Sequence, residues 1–447
     1  MKINVIDLFS GGGGLTEGFV KEGYNIIVHI EKDRWACETL KTRICYHELV
    51  KNADIDLYKK YLLNSKKYEN VETNREIIFN KYPELKEKLE KEVLNYTFGD
   101  PVEDSGATRL EEIIDKIEES LKWHRVKSID LIIGGPPCQA YSLVGRGVMK
   151  DRVKYDKRNY LFRYYKNIVA HFKPKAFIFE NVPGILTAKK GEIYKAIVDE
   201  FREIGYTLLS GEDENPKVNI INAAQLGIPQ TRRRVILFGF RKELCYTYPR
   251  ILDYKYSNQT FTTAQVISDL PKLRHGEGEY GQILAYPKIE DKYLSQFQLD
   301  MRSKLIGVLN HQARKHNERD LEHYKDVIIA SEQGKRIKYT DFPEERRTHQ
   351  NQGVFLDRYK VHAWDQIPHT ILAHLAKDGH YNIHPDLEQC RSITVREAAR
   401  IQTFSDDYYF EGPRTAQFTQ VGNAVPPLMA QCIAKSLKEI LLKEKNY

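Results

Sequence analysis

An apolar run from Ile3 to Phe9 stops at Ser10-Gly11-Gly12-Gly13-Gly14, and an amphipathic pattern starts at once near Leu15. A buried strand that turns straight into a helix is the opening unit of an α/β sheet, and it leaves few other folds open. The alternation continues. Asn25 to Glu31, Ile129 to Gly134 and Ala176 to Glu180 read as further strands, and Leu161 to Phe172 as a helix. Apolar strands with helices between them predict a mostly parallel sheet covered on both faces.

Two stretches break this rhythm. From about Lys51 to Asn95 the chain is rich in Lys, Glu and Tyr, which predicts a helical insertion, expected as a solvated helical pair. From about Arg241 to Gln389 short segments mix with turn residues and with basic and aromatic side chains, which predicts a smaller α+β domain over 241–390. Helical patterns resume at Ser392 to Thr403 and from Ala424 onward. A length of 447 residues fits two domains better than one.

Composition narrows the class. Hydrophobic residues at 41% and charged residues at 29% are ordinary for a globular chain, and no apolar run is long enough to span a bilayer. The start, MKINVIDLF, has no leader pattern, so a cytoplasmic location is expected. Six cysteines without a CxxC pair predict neither a zinc site nor a disulfide scaffold, and no metal is expected. A net charge of +7 is compatible with a polyanionic partner without establishing one.

The chemistry concentrates at predicted strand ends. Asp7 and Glu31 close the first two strands, and an acid there can hold two ribose hydroxyls. The glycine turn lacks the Gly-Lys-Ser/Thr of a phosphate loop and carries no basic side chain, which favours a zwitterionic or cationic nucleoside such as S-adenosylmethionine over a pyrophosphate. A plain flexible turn is the competing reading. Gly134-Gly135-Pro136-Pro137-Cys138-Gln139 follows another strand, so Cys138 is either a preorganised nucleophile or a structural thiol in a tight turn. The next strand ends in Glu180-Asn181-Val182, which puts a carboxyl near that thiol, placed to hold or donate a proton or simply to face water. Arg146 and Arg152 lie in a basic, glycine-hinged loop suited to a phosphate backbone or to solvent. Gln230-Thr231-Arg232-Arg233-Arg234 enters a strand, where at least one guanidinium needs an acid or a ligand carbonyl.

Taken in order, DLFSGGGGLTEGF, Glu31, Gly99-Asp100, GGPPCQ, DKRNYLF, ENV, QTRRR, RSITVREAARIQTF and QVGNAVPP resemble the DNA (cytosine-5) methyltransferase family over most of the chain. The resemblance implies a Rossmann-like S-adenosylmethionine-dependent methyltransferase domain, discontinuous over 1–240 and 391–447, with 241–390 as target-recognition domain. It implies Cys138, Glu180, Arg232 and Arg234 as catalytic residues. It implies Phe9, Gly11, Gly13, Leu15, Glu31, Asp100, Pro137, Leu161 and Asn423 around the cofactor. Arg314 and Arg319, in the recognition stretch, join Arg146 and Arg152 as expected DNA contacts. The implied partner is double-stranded DNA, with a cognate restriction endonuclease acting on the same site but forming no stable complex. The insertion separates Glu31 from Asp100 more than the family pattern does, which puts Asp100 in doubt. Two alternatives remain: a tRNA cytosine-5 methyltransferase, and an inactive DNA-binding protein on this fold, against which intact Cys138, Glu180 and Arg234 argue.

Overall fold

Each short Val/Ile/Leu/Phe run of the first half becomes a strand. The computed structural model describes residues 2–137, 161–209, 220–244, 246–303, 306–347 and 356–443. In chain order come β1 (Asn4–Leu8), α1 (Gly14–Lys21), β2 (Asn25–Glu31), α2 (Arg34–Lys51), α3 (Ile55–Asn64), α4 (Val71–Phe79), α5 (Glu84–Glu92), β3 (Val93–Asn95), α6 (Leu110–Trp123) and β4 (Leu131–Gly134). They are followed by α7 (Leu161–Phe172), β5 (Ala176–Asn181), α8 (Glu192–Glu203), β6 (Tyr206–Leu209), β7 (Ile220–Asn222) and β8 (Arg233–Arg241).

The strands form one sheet in the order β3-β2-β1-β4-β5-β8-β6, with β7 also on β8. The five strands from β3 to β5 run parallel and β8 runs against β5. Alternating side chains feed two apolar layers. Val5, Ile133, Ile178 and Phe238 face one, with Phe19 of α1. Ile6, Ile132, Phe177 and Leu237 face the other, with Ile117, Ile168 and Phe201 from α6, α7 and α8. The order reverses between β1 and β4, and ligands of such sheets sit at the carboxyl ends of the strands flanking that point. Leu8 lies opposite Gly134, and Gly134 opposite Phe179, so the ends of β1, β4 and β5 come level.

The C-terminal third contributes α9 (Thr263–Ile267), α10 (Gln296–Met301), α11 (Glu318–Glu332), α12 (Val395–Ile401), α13 (Arg414–Asn423) and α14 (Pro427–Lys443). The tail returns to the start of the chain. A Cβ on Gly18 would meet Ala430 Cβ at 2.4 Å, so α14 lies flush on α1. The Tyr24 hydroxyl also donates to the Ala434 carbonyl at 2.9 Å.

The stretch 241–390 does not share one core. Phe261, Val266, Leu270 and Phe297 join the main core, whereas Tyr324, Ile328, Phe342, Tyr359 and Ile383 form a small separate one. Its β structure among the described residues amounts to isolated bridges such as Leu284↔Val308 and Val361↔Ile383. Buried arginines bind it to the sheet domain. Arg400 pairs with Asp269 (2.9 Å) and Asp406, Arg391 pairs with Glu397 (2.7 Å), and Arg396 donates to the Leu309, Ser405 and Tyr408 carbonyls. RSITVREAAR is therefore a charged clamp, tolerated in the interior because each guanidinium is matched.

The insertion is not a solvated pair. Leu49, Tyr58, Tyr61, Leu62, Ile78 and Leu89 pack into one core together with Leu309 and Tyr409 of the C-terminal third. Thr42 and Tyr61 both donate to the buried carboxylate of Glu411, which fastens the insertion to the C-terminal segment.

Buried histidines give this half of the molecule an acid sensitivity. His311 donates from Nε2 to the Pro271 carbonyl (2.7 Å) and accepts from the Thr394 hydroxyl at Nδ1 (2.8 Å), and burial lowers its pKa to about 4. His362 is likewise lowered to about 4 by burial. The unfolded chain binds these protons from about pH 6.5 downward while the folded chain refuses them until about pH 4, so stability falls across that window. Up to about 3 kcal/mol per histidine is expected, read as a melting temperature that drops between pH 6.5 and 4. A flat profile there would refute it.

Candidate active site

The turn after β1 is shaped by both the ligand side and the protein side. Phe9 holds a positive φ of 56°, costly for a bulky residue, and Gly11 one of 55°. A Cβ on Gly11 would meet nothing within 4 Å. The other turn glycines are small for packing reasons. A Cβ on Gly13 would lie 2.5 Å from the Tyr408 hydroxyl, and one on Gly14 2.3 Å from the Val425 carbonyl. Leu15 is buried in the main core. Asp7 does not stand beside Glu31 at the edge. It is fully buried, accepts from the Thr16 hydroxyl and lies 3.4 Å from His29 Nδ1, so it fixes the turn from beneath.

Glu31 closes β2 with its carboxylate aimed by two backbone donors, Gly11 N–H to Oε2 (2.9 Å) and Asp33 N–H to Oε1 (2.8 Å). Burial raises its pKa, partly offset by those two bonds. An aromatic wall stands alongside. The Phe9 and Phe98 rings are 5.0 Å apart, and Phe98 and Tyr164 are 5.9 Å apart. Tyr164 is pushed up by burial and, to a lesser extent, by the negative charge of Asp100. Asp100 itself is exposed and accepts from Val102 N–H at 2.9 Å. Leu161 opens α7 half-buried, and Asn423 is exposed at the end of α13. Its neighbour Gln420 would touch a Cβ on Gly12 at 3.1 Å, which brings that segment onto the glycine turn. Phe98 and Tyr164 were not singled out from sequence, although Tyr164 lies one helical turn from Leu161 and shares its face.

These residues fit a nucleoside with a positively charged tail. The bare space at Gly11, the strained Phe9, the aimed Glu31 carboxylate and the aromatic wall supply a ribose acceptor and an apolar slot. Ribose hydroxyls must donate to Glu31, so the carboxylate form is required. Affinity for such a ligand is expected to fall as pH drops through the raised pKa of Glu31. Glu31→Ala should weaken it roughly 100-fold, two charged hydrogen bonds being lost, with the pH dependence abolished. Titration calorimetry across pH checks both.

Three strands along from β2, Glu180 is the penultimate residue of β5. Its Oε2 would lie 2.6 Å from a Cβ on Gly135, so only glycine lets the carboxyl pack there. Arg234 Nε stands 2.7 Å from Glu180 Oε1, an ion pair with both side chains mostly covered. Asn181 Nδ2 donates to the Pro136 carbonyl (3.2 Å) and ties the GGPP loop to β5. Pro137 ends the described part of that loop. Cys138, Arg146 and Arg152 lie outside the described residues.

Two arginines expected at the site face elsewhere. Arg232 is fully buried and donates to the Ile371 (2.8 Å) and Gly422 (3.2 Å) carbonyls, so it braces the segments behind Arg234. Arg314 donates to the carbonyls of Leu375, Ala376 and Lys377, a C-terminal cap for a short helical turn that occupies its guanidinium. Arg319 is exposed in the first turn of α11, open to a phosphate.

The sheet order and the switch-point site define a Rossmann-like methyltransferase fold. A sequence profile of the C-5 cytosine-specific DNA methylases matches residues 3–73 and 107–439, and the chain belongs to that family. Residues 74–106, which carry the end of the insertion together with Phe98 and Asp100, fall outside the match. The chain is 56% identical over 439 residues to the type II methyltransferase M.Bpa9945I of Bacillus paralicheniformis, covering 98% of this chain and 99% of that one. It is 29% identical to M.DdeI of Desulfomicrobium norvegicum, covering 97% and 88%. A prophage-encoded E. coli protein described as a DNA modification methyltransferase shares the fold, with TM-score 0.61 and 20% identity over 99% of this chain and 100% of that one. Among the described residues no helix is long and apolar enough to cross a membrane, and no cluster of three or more His, Cys, Asp or Glu side chains is placed to hold a metal ion.

Proposed function

We propose that this enzyme methylates carbon 5 of a cytosine within a specific double-stranded DNA sequence, as the modification partner of a restriction endonuclease that reads the same site in the cytosol. The observation that carries this reading is the Glu180–Arg234 pair, seated against Gly135 at the same sheet edge as the Gly11–Glu31 cradle. S-adenosylmethionine bound in that cradle supplies an electrophilic methyl group. Phe9, Gly11, Glu31, Phe98, Asp100, Leu161, Tyr164 and Asn423 surround it, while Gly13 and Leu15 support the turn from the protein side.

The chain's own groups do the rest. A cytosine stacked in a duplex cannot meet both a thiol and a methyl donor, so the base is flipped out. The Cys138 thiolate adds to C6. Glu180, entering as the neutral acid, gives its proton to N3 as the thiolate adds, its carboxylate then facing Arg234, and it takes that proton back when the S–C6 bond breaks; this leaves C5 nucleophilic in between. Arg234 holds Glu180 and reaches the cytosine carbonyl. After methyl transfer a base removes the C5 proton and the S–C6 bond breaks, restoring the thiolate and the aromatic ring. The stretch 241–390 carries target recognition.

The test is transfer of labelled methyl to duplex DNA and to tRNA, followed by bisulfite sequencing. Label in DNA at one sequence context is expected. Strict preference for tRNA would overturn the substrate assignment, a reading that the named DNA methyltransferase relatives do not favour.

A further inference from the structure

Near the Glu180–Arg234 pair lies an open pocket of about 320 Å³, lined by Ile220 and by three polar side chains, Asn222, Gln225 and Arg233. It sits at the carboxyl edge of the sheet. β7 runs antiparallel to β8 with Asn222 opposite Arg233, and β8 begins beside the end of β5 with Val235 opposite Asn181. Successive residues of a strand point to opposite faces. Arg234 turns toward Glu180 and Arg233 turns the other way, so their guanidiniums straddle one strand end.

The pocket offers donors. Asn222 Oδ1 accepts from Ala224 N–H and Gln225 Oε1 accepts from Asn222 N–H, both at 3.2 Å. The acceptor atoms of both amides are thereby used within the turn, and their NH₂ groups remain beside the Arg233 guanidinium. Arg233 and Gln225 are exposed and Asn222 is half-buried. Among the described residues no acidic side chain lines the pocket or pairs with Arg233. Two amide donors and a planar fork, with no acidic side chain beside them among the described residues, fit a tetrahedral phosphate oxyanion.

We infer that Asn222, Gln225 and Arg233 clamp a backbone phosphate of the DNA strand that carries the target cytosine. The inference rests on the function proposed above. Two strand spacings, about 10 Å, separate β5 from β7, so a base at Glu180 and a nearby phosphate of its own strand reach the two sites together. Holding that phosphate would fix the sugar about which the base swings, which makes Arg233 a positioning residue.

The experiment uses the full chain and a short duplex bearing the cytosine that bisulfite sequencing identifies. Binding is measured by fluorescence anisotropy against salt, with single uncharged methylphosphonate linkages stepped around the target. Arg233→Ala should weaken binding roughly tenfold and lower the salt slope by about one. One methylphosphonate position should weaken the wild type yet leave Arg233→Ala indifferent, and Arg233→Lys should restore much of the loss. Sensitivity at a single position separates a strand-borne phosphate from a free anion, which would leave all positions alike. Unchanged affinity in Arg233→Ala, or a methylphosphonate profile identical to the wild type, overturns the clamp. Methylation of the same duplex by the wild type is scored in parallel. Its absence would defeat the proposed function, whereas methylation with no effect at Arg233 defeats the clamp alone.

Discussion

Cys138→Ala is expected to lose methyl transfer by about 10⁴-fold or more while binding the DNA site as tightly as the wild type. Unmodified C5 is a poor nucleophile, and among the described residues no other thiol stands at the β4 and β5 ends to add to C6 and later leave. The wild type should form a denaturation-resistant adduct with DNA carrying 5-fluorocytosine, because fluorine cannot depart as the proton does, and Cys138→Ala should form none. Among the described residues the other thiols give a quiet background: Cys37, Cys45, Cys390 and Cys432 are buried, and burial pushes Cys45 up to about 12 and Cys432 to about 11, while Cys245 lies outside the described residues. Methylation within tenfold of wild type in the alanine variant would end the covalent reading.

Glu180→Gln ranks next. Glutamine keeps the volume that Gly135 admits but loses the charge that faces Arg234 and the proton offered to the ring. A loss of about 10² to 10³-fold in single-turnover rate is expected, with cofactor affinity held within a factor of two because the Glu31 cradle belongs to other strands. Arg234→Ala should give a similar loss, and the double variant less than their product, since the two act as a unit. Additive losses, or a collapse of cofactor binding in Glu180→Gln, would show that the pair is structural.

What could be read from the chain beforehand follows a physical divide. β1, β2, β4 and β5 were legible because strands buried on both faces are mostly apolar, Asp7 and His29 being the buried exceptions in β1 and β2. Glu31 and Glu180 were legible because strand ends at a switch point collect polar chemistry. Arg314 and Arg232 misled because their partners are backbone carbonyls more than 50 residues away, which carry no sequence signature. The glycine run misled in part for the same reason. Gly11 faces open space, whereas Gly13 and Gly14 make room for Tyr408 and Val425 from the far end of the chain. The insertion looked hydrated because its lysines and glutamates are abundant, yet Tyr58 and Tyr61 turn inward.

The flush seating of α14 on α1 joins residues separated by 410 positions in the Tyr24–Ala434 bond. On the ribosome the first strand, its turn and its helix emerge some 410 residues before the surface they rest on. Domains that depend on such distant partners close slowly and late. A nascent chain therefore carries its first strand, turn and helix without their packing partner until α14 has been made.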